Sequence, residues 1–354
     1  MPTSCVTAPL TYYVSLSLPV IAWIGIEAGY AMSALGMVFA FVGLPVFDLI
    51  VGKDHRSPNQ AEGIELDDMI SYRFILYVYA ALQTLLLWRM CHIWSTASWQ
   101  WWQYALSVGS IGAVTGGLGI TIAHELSHRN AAWERFVGYA LLAQVSYVHF
   151  AMEHVAGHHR NVGLRHDPAT ARKGESVYAF IVRCIVQSWL HVWQMEARRL
   201  RNCGKLPYGL RNRMWWWSMI PAAMAALVGN VYGSSVAMLF LGQGAFAFVL
   251  LEAVNYVEHY GLTRNEIKPG IFEKFGPKHA WEARFAASNV FLFKLQRHAD
   301  HHLLPQRRYQ SLRVHEESPQ LPQGYPAMVL LSLIPPLWRR VIHPRMSRVP
   351  APLN

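Results

Sequence analysis

Charge is what this chain has least of. Only 15% of its 354 residues are Asp, Glu, Lys or Arg, against roughly 25% in soluble domains. The deficit is concentrated in long uncharged stretches, which argues against an ordinary soluble fold and reads as membrane spans. Cysteine is nearly as scarce: Cys5, Cys91, Cys184 and Cys203 form no CxxC pair. That pattern suggests neither a zinc ribbon nor a disulfide framework and leaves scattered thiols. The first Lys or Arg is Lys53. A cleaved signal peptide starts with positive charge, so the N-terminal segment is expected in the mature protein. Nucleic-acid motifs, internal repeats and a dinucleotide fingerprint are lacking too.

What the chain does have is apolar sequence, 53% of its residues. Runs near the ~20 residues that cross a bilayer as helix predict six spans, at about 8–26, 28–47, 70–90, 101–123, 214–230 and 234–257. The expected fold is an all-α integral membrane protein, one membrane-embedded domain over residues 1–354. Its formal charge of +10 follows from Lys and Arg in segments 48–73, 124–213 and 258–354. The positive-inside rule then places these segments and both termini in the cytoplasm. The uncharged run 136–152 is expected as a buried or re-entrant helix, because a seventh span would separate later histidines from earlier ones. Gly109, Gly112, Gly116, Gly117 and Gly119 in the fourth span predict close helix packing.

Histidine is the abundant polar residue, with seventeen copies. Nine fall in four stretches: HELSH (His124, His128), EHVAGHH (His154, His158, His159), NYVEHYG (His259) and LQRHADHH (His298, His301, His302). HELSH alone matches H-E-x-x-H, the helical signature of zinc hydrolases with the glutamate as base. The other stretches change that reading. Residues three and four apart share a helix face, so each cluster is expected to aim several imidazoles at one place. The clusters lie at span ends on one predicted side of the membrane, where ionisable groups default to function. Nine ligands are too many for one ion and suit two. Imidazole accepts zinc, copper, iron and nickel alike. Glu125, Glu153, Asp167, Glu258 and Asp300 accompany the clusters and are expected to orient metal-bound imidazoles. The other eight histidines read as ordinary packing residues. Gly117 and Ile120 precede His124 on the same helix face and are candidate cavity lining.

HELSHR, EHVAGHHR, NYVEHYGL and LQRHADHH, with HDPATARKGESVYAF (166–180) and PQRRYQSLR (305–313), together resemble the membrane-bound alkane 1-monooxygenases (alkane hydroxylases). That family is related to xylene monooxygenase and, more distantly, to membrane fatty-acid desaturases and hydroxylases. The resemblance covers roughly residues 10–340. It implies a six-span enzyme of the bacterial inner membrane that uses two non-haem iron ions and O₂ to hydroxylate the terminal carbon of an alkane. The nine clustered histidines would be the iron ligands, and Asp167 and Asn255 match positions close to the metals. Electrons would come from a rubredoxin and its NADH-dependent reductase. PKHAWEAR (277–284) stands where many members read His-Ser-Trp-Asn, so branched, cyclic or methyl-aromatic hydrocarbons also stay open as substrates.

The residues agree on electron supply. With no dinucleotide fingerprint and no CxxC pair, no flavin or NAD is expected on this chain, and electrons must arrive from a separate protein. Arg129, Arg160, Arg165, Arg172, Lys173, Arg307 and Arg308 could steer an acidic carrier or serve only as topology signals. Two other functions compete. An intramembrane zinc protease with Glu125 as base leaves most of the clustered histidines unexplained. A metal transporter would place ligands near the midplane, often in repeats.

Overall fold

The computed structural model describes residues 7–346; Cys5 lies outside them. Helices α1 (Pro9–Ala28) and α2 (Tyr30–Val51) form a hairpin, followed by the short α3 (Gln60–Asp68). A second hairpin joins α4 (Ile70–Thr96) to α5 (Trp101–Ser127). Then come α6 (Ala132–Gln144), α7 (residues 150–161) and α8 (Val177–Asn202). The third hairpin is α9 (Arg213–Tyr232) with α10 (Ser234–His259). Shorter helices α11 (Ala286–Phe291), α12 (His298–Leu303), α13 (Tyr325–Ser332) and α14 (Pro335–Met346) complete the chain. A small antiparallel hairpin pairs Glu266–Lys268 with Ile271–Phe272.

Five helices, α1, α2, α4, α5 and α10, are long and apolar enough to cross a membrane. The chain is therefore a multi-pass membrane protein. α9, expected as a further span, has 20 residues but is not among the five. It opens on Arg213, carries Trp215, Trp216 and Trp217, and contains Pro221 and Asn230. Val38, Val42, Val46, Leu49 and Ile50 of α2 are exposed, the apolar outer surface that lipid covers. The run 136–152 is not one helix. Ser146 has φ +62°, and this left-handed residue breaks the chain between α6 and α7.

α5 is the most enclosed of the five membrane-length helices: from Gly109 to Arg129 only Gly117 is not buried. Its glycines explain how. A Cβ on Gly112 would lie 2.6 Å from Phe246 Cβ, and one on Gly116 would lie 2.8 Å from the Ala247 backbone. One on Gly119 would collide with Gln83. Small residues thus let α10 and α4 close on α5. One polar chain inside this bundle is paired throughout: Thr115 donates to Gln243 at 2.9 Å, and Gln243 donates to the Gln144 carbonyl at 2.8 Å. Buried amides left unpaired would cost free energy in lipid. α5 and α10 run parallel, and both end at proposed ligands, His124–His128 and His259.

Candidate metal centre

All nine clustered histidines converge at that end of the bundle, in two groups. His124, His128, His154, His159 and His301 form one; His158, His259, His298 and His302 form the other. Within each group the ligand atoms lie within 4.8 Å of one another. The groups are adjacent, with the His159 and His302 ring centroids 4.3 Å apart.

The partition differs from the expectation that each stretch serves one place. Residues 153–158 form a π-helical turn, in which hydrogen bonds run i to i+5. The wider turn puts His154 and His159 on one side, while His158 faces the other group. On α12, His298 and His302 are a full turn apart and share a group. His301 is one residue, about 100°, from His302 and turns to the first group. One short helix therefore feeds both sites.

The nitrogen geometry tests whether the residues fit metal. Nε2 of His154 lies 2.7 Å from Nε2 of His124, 2.9 Å from that of His159 and 3.4 Å from that of His301. His159 and His301 are 3.1 Å apart at the same atoms. In the second group, His158–His259, His259–His298 and His298–His302 are 3.2, 3.0 and 2.9 Å apart at Nε2. A ring nitrogen carries at most one proton, so hydrogen bonding cannot satisfy three such neighbours of His154. Two nitrogens bound at a right angle to one ion, with bonds of roughly 2.1 Å, sit roughly 3.0 Å apart. His128 Nε2 is buried without a partner, as a ligand atom would be. The residues fit two metal ions.

Electrostatics agree. Burial first, and neighbouring imidazoles second, hold His128, His154, His159, His298, His301 and His302 well below the ordinary imidazole range. They are neutral, which is the form that binds metal. Asp167 accepts from His158 Nδ1 at 2.9 Å, which leaves the His158 Nε2 lone pair directed at its group. Thr170 donates to Asp167 at 2.6 Å. Burial raises the Asp167 carboxyl, but His158 and Thr170 outweigh it and hold the group below the usual carboxylate range.

The remaining acids divide. Glu258 lies 3.3 Å from His298 Nδ1 and so joins Asp167 beside a ligand imidazole. Glu125 instead faces Arg129 at 3.7 Å and the Tyr309 N–H at 3.4 Å. A glutamate aimed there is not placed as the base of a zinc hydrolase. Glu153 pairs with His191 at 3.0 Å. Asp300 binds Arg307 at 2.6 Å, His315 at 2.8 Å and the Arg313 N–H at 3.0 Å. These three acids brace the ligand-bearing helices rather than touching the nine clustered imidazoles. Asn255 donates to Glu252 at 3.0 Å, and Glu252 accepts from Tyr147 at 2.7 Å. Tyr147 and His191 carried no sequence signal, because their partners Glu252 and Glu153 are distant in the chain; Thr170 and Glu252, whose partners Asp167 and Asn255 are only three residues away, lie in no recognisable motif.

An apolar cavity reaches the groups from inside the bundle. His124, His154 and His298 close one end, with Asn255 and Glu258 beside them. Gly117 and Ile120 both line it. A Cβ on Gly117 would meet nothing within 4 Å, so a side chain there would project into open space.

The basic residues fare differently. Arg129 is buried and donates to the carbonyls of Glu125, Pro305, Gln306 and Arg307. It is a clamp between α5 and the 305–307 loop, not a docking surface. Arg307 and Arg308 are half-buried and paired with Asp300 and Glu134. Arg160, Arg165, Arg172 and Lys173 are exposed.

Membrane-length helices that deliver nine imidazoles to two adjacent groups define a class: histidine-ligated, two-metal membrane proteins. Sequence comparison agrees. The fatty acid desaturase family model matches residues 99–332. The chain is 38% identical over 337 residues to alkane 1-monooxygenase 2 of Pseudomonas aeruginosa, covering 94% of this chain and 89% of that protein. It is 37% identical to alkane 1-monooxygenase 2 of Alcanivorax borkumensis, covering 93% and 87%. It is 28% identical over 240 residues to the xylene/toluene monooxygenase hydroxylase component of Pseudomonas putida, covering 68% and 63%. The chain belongs to the fatty acid desaturase family and, within it, to the alkane 1-monooxygenases.

Proposed function

We propose that this protein is a di-iron oxidoreductase that hydroxylates the terminal carbon of an n-alkane, using O₂ and two external electrons. The observation that carries the proposal is the apolar cavity ending on His124, His154 and His298. Its lining is almost wholly apolar, which suits a hydrocarbon substrate. The two histidine groups would each hold one iron, and the iron pair would supply O₂ activation. The balance is one hydrocarbon C–H, one O₂, two electrons and two protons giving one alcohol and one water.

The protein's part is placement. Asp167 fixes the tautomer of His158, and Glu258 stands beside His298 Nδ1. The cavity wall, from Leu18 and Phe41 to Leu250 and Val329, excludes water from the reacting end and orients the chain. Gly117 and Ile120 sit where chain length would be read. The whole chain would act as one membrane-embedded domain, with α9 as a sixth span and the metal end facing the cytoplasm. That face carries most of the basic residues. Rubredoxin, reduced by an NADH-dependent reductase, would deliver electrons near Arg160, Arg165, Arg172 and Lys173. Incubating iron-loaded membranes with this carrier system and a hydrocarbon panel tests the reading. Primary n-alkanols should dominate; benzylic or cycloalkyl alcohols as main products would overturn the substrate assignment.

A further inference from the structure

A second cavity, of about 530 Å³, lies between α1, α2 and the 286–294 segment. Its walls are graded. Val14, Ile21, Phe39, Phe47 and Val51 make the part within the spanning helices, and Thr7, Arg56 and Lys294 lie at the helix-end side. From Thr11 to Ile21 the groove follows α1 for about 15 Å. Phe291 lines both this groove and the cavity that reaches the histidines, and its ring is 5.5 Å from that of Phe39. Aromatic side chains therefore stand between the two spaces.

The polar end is unusual. Lys294 is buried, 3% exposed, and its Nζ donates to the Gln310 carbonyl at 2.7 Å. An ammonium has three donors, so that bond leaves two of them, on a residue that lines the cavity. Arg297 is buried next to it and reaches Asp54 at 3.5 Å. Arg56 bonds the same Asp54 at 2.7 Å and Thr7 at 3.2 Å. Two buried cations, Lys294 and Arg297, thus lie side by side at the head of an apolar groove, and only Arg297 reaches a carboxylate directly. Buried cations without matching charge are costly. Burial first, and Arg297 second, push the Lys294 amine well below its ordinary value, and an anion opposite it would reverse that. The backbone is committed to this placement: Phe293 and Lys294 have φ of +47° and +54°, a left-handed pair without glycine. Such backbone strain persists where the surroundings enforce it.

We propose that this groove is a binding site for one long-chain carboxylate, its anionic head on Lys294 and its acyl chain along Val14, Phe39 and Phe47. A cation at one end and an apolar trough at the other are the two halves of such an amphiphile. A single trough along α1 accommodates one acyl chain below the head. The site is separate from the metal-ended cavity and does not depend on what that cavity oxidises.

The test is equilibrium binding of radiolabelled palmitate to the full-length, iron-loaded protein in phosphatidylcholine nanodiscs. One saturable site per chain is expected. Lys294→Gln, which keeps a donor for Gln310, should weaken binding at least about tenfold, the scale of a lost charge-assisted hydrogen bond. Val14→Trp, which fills the trough and leaves the cation, should weaken it similarly, with iron content equal to the parent protein. Gly117→Phe, which fills the other cavity, should leave palmitate affinity unchanged. The proposal is overturned if both groove variants bind palmitate normally. It is also overturned if hexadecane competes as well as unlabelled palmitate, which would make the groove a hydrocarbon passage. Displacement by phosphatidylglycerol at matching mole fraction would make it a lipid site and overturn it too.

Discussion

Asp167→Asn should damage one metal site and spare the other. Asp167 is buried, accepts from His158 Nδ1 at 2.9 Å and is itself held by Thr170 at 2.6 Å. Asparagine at this position keeps the shape but loses the negative charge. Its amide can also offer N–H to the imidazole, which favours the wrong tautomer. Removing a carboxylate of this kind costs about ten- to a hundredfold in metal affinity, or about 1.4–2.7 kcal/mol. His158 belongs to the group with His259, His298 and His302, and the Asp167 carboxylate bonds to His158, Ala169 and Thr170. The loss should therefore be confined to that group. The assay is iron release to a graded chelator, followed by metal analysis of the washed protein. The parent should lose its metals at two close chelator strengths, whereas the variant should lose one at a strength about ten- to a hundredfold lower. Equal weakening of both metals, or no weakening, would refute the assignment of His158 and Asp167 to a single site.

Other outcomes follow from the same geometry. Gly117→Phe should fold, because a Cβ there meets nothing within 4 Å, and should shift hydroxylation toward shorter alkanes. An unchanged product profile with full iron content removes Gly117 from the cavity wall. Glu125→Gln should retain both metals and a rate within about fivefold of the parent, since its carboxylate faces Arg129 and Tyr309 and loss of such a contact is worth about 1 kcal/mol. Complete inactivity with both metals bound would instead give Glu125 a direct chemical role. Glu196, buried on α8, accepts from Arg199 at 2.8 Å and Arg213 at 2.7 Å. Burial raises its carboxyl, but the two arginines outweigh that and hold it at about 2, below the ordinary 4.5. Its stabilisation is complete above about pH 4.5 and is lost as pH falls toward 2. Glu196→Gln should cost about 2 kcal/mol at pH 7, discounted because both arginines are half exposed, and nothing measurable near pH 2. A pH-independent deficit in thermal unfolding would refute the pairing.

The histidine stretches and five of the spans were legible because each is a local pattern: an apolar run of sufficient length, or imidazoles at short spacing. α9 was less so, since tryptophans and Asn230 dilute its apolar run. The partition of ligands was hidden by the assumption of α-helical spacing. Nothing in EHVAGHH announces a π-turn, and only that turn separates His158 from His154 and His159. Arg129 read as surface charge because its partners, the 305–307 carbonyls, lie about 177 residues further along the chain. Lys294 escaped notice for a related reason. Its position depends on left-handed φ at two non-glycine residues, which tertiary packing enforces and sequence does not mark.

The central claim is that two histidine-held irons at the end of an apolar cavity insert one oxygen atom into a terminal C–H bond. It is tested most directly by supplying ¹⁸O₂ and n-octane to purified protein of measured metal content, with the carrier system present. The account predicts two irons per chain and 1-octanol carrying a single ¹⁸O atom. One zinc and no iron, or an alcohol whose oxygen comes from water, would contradict it.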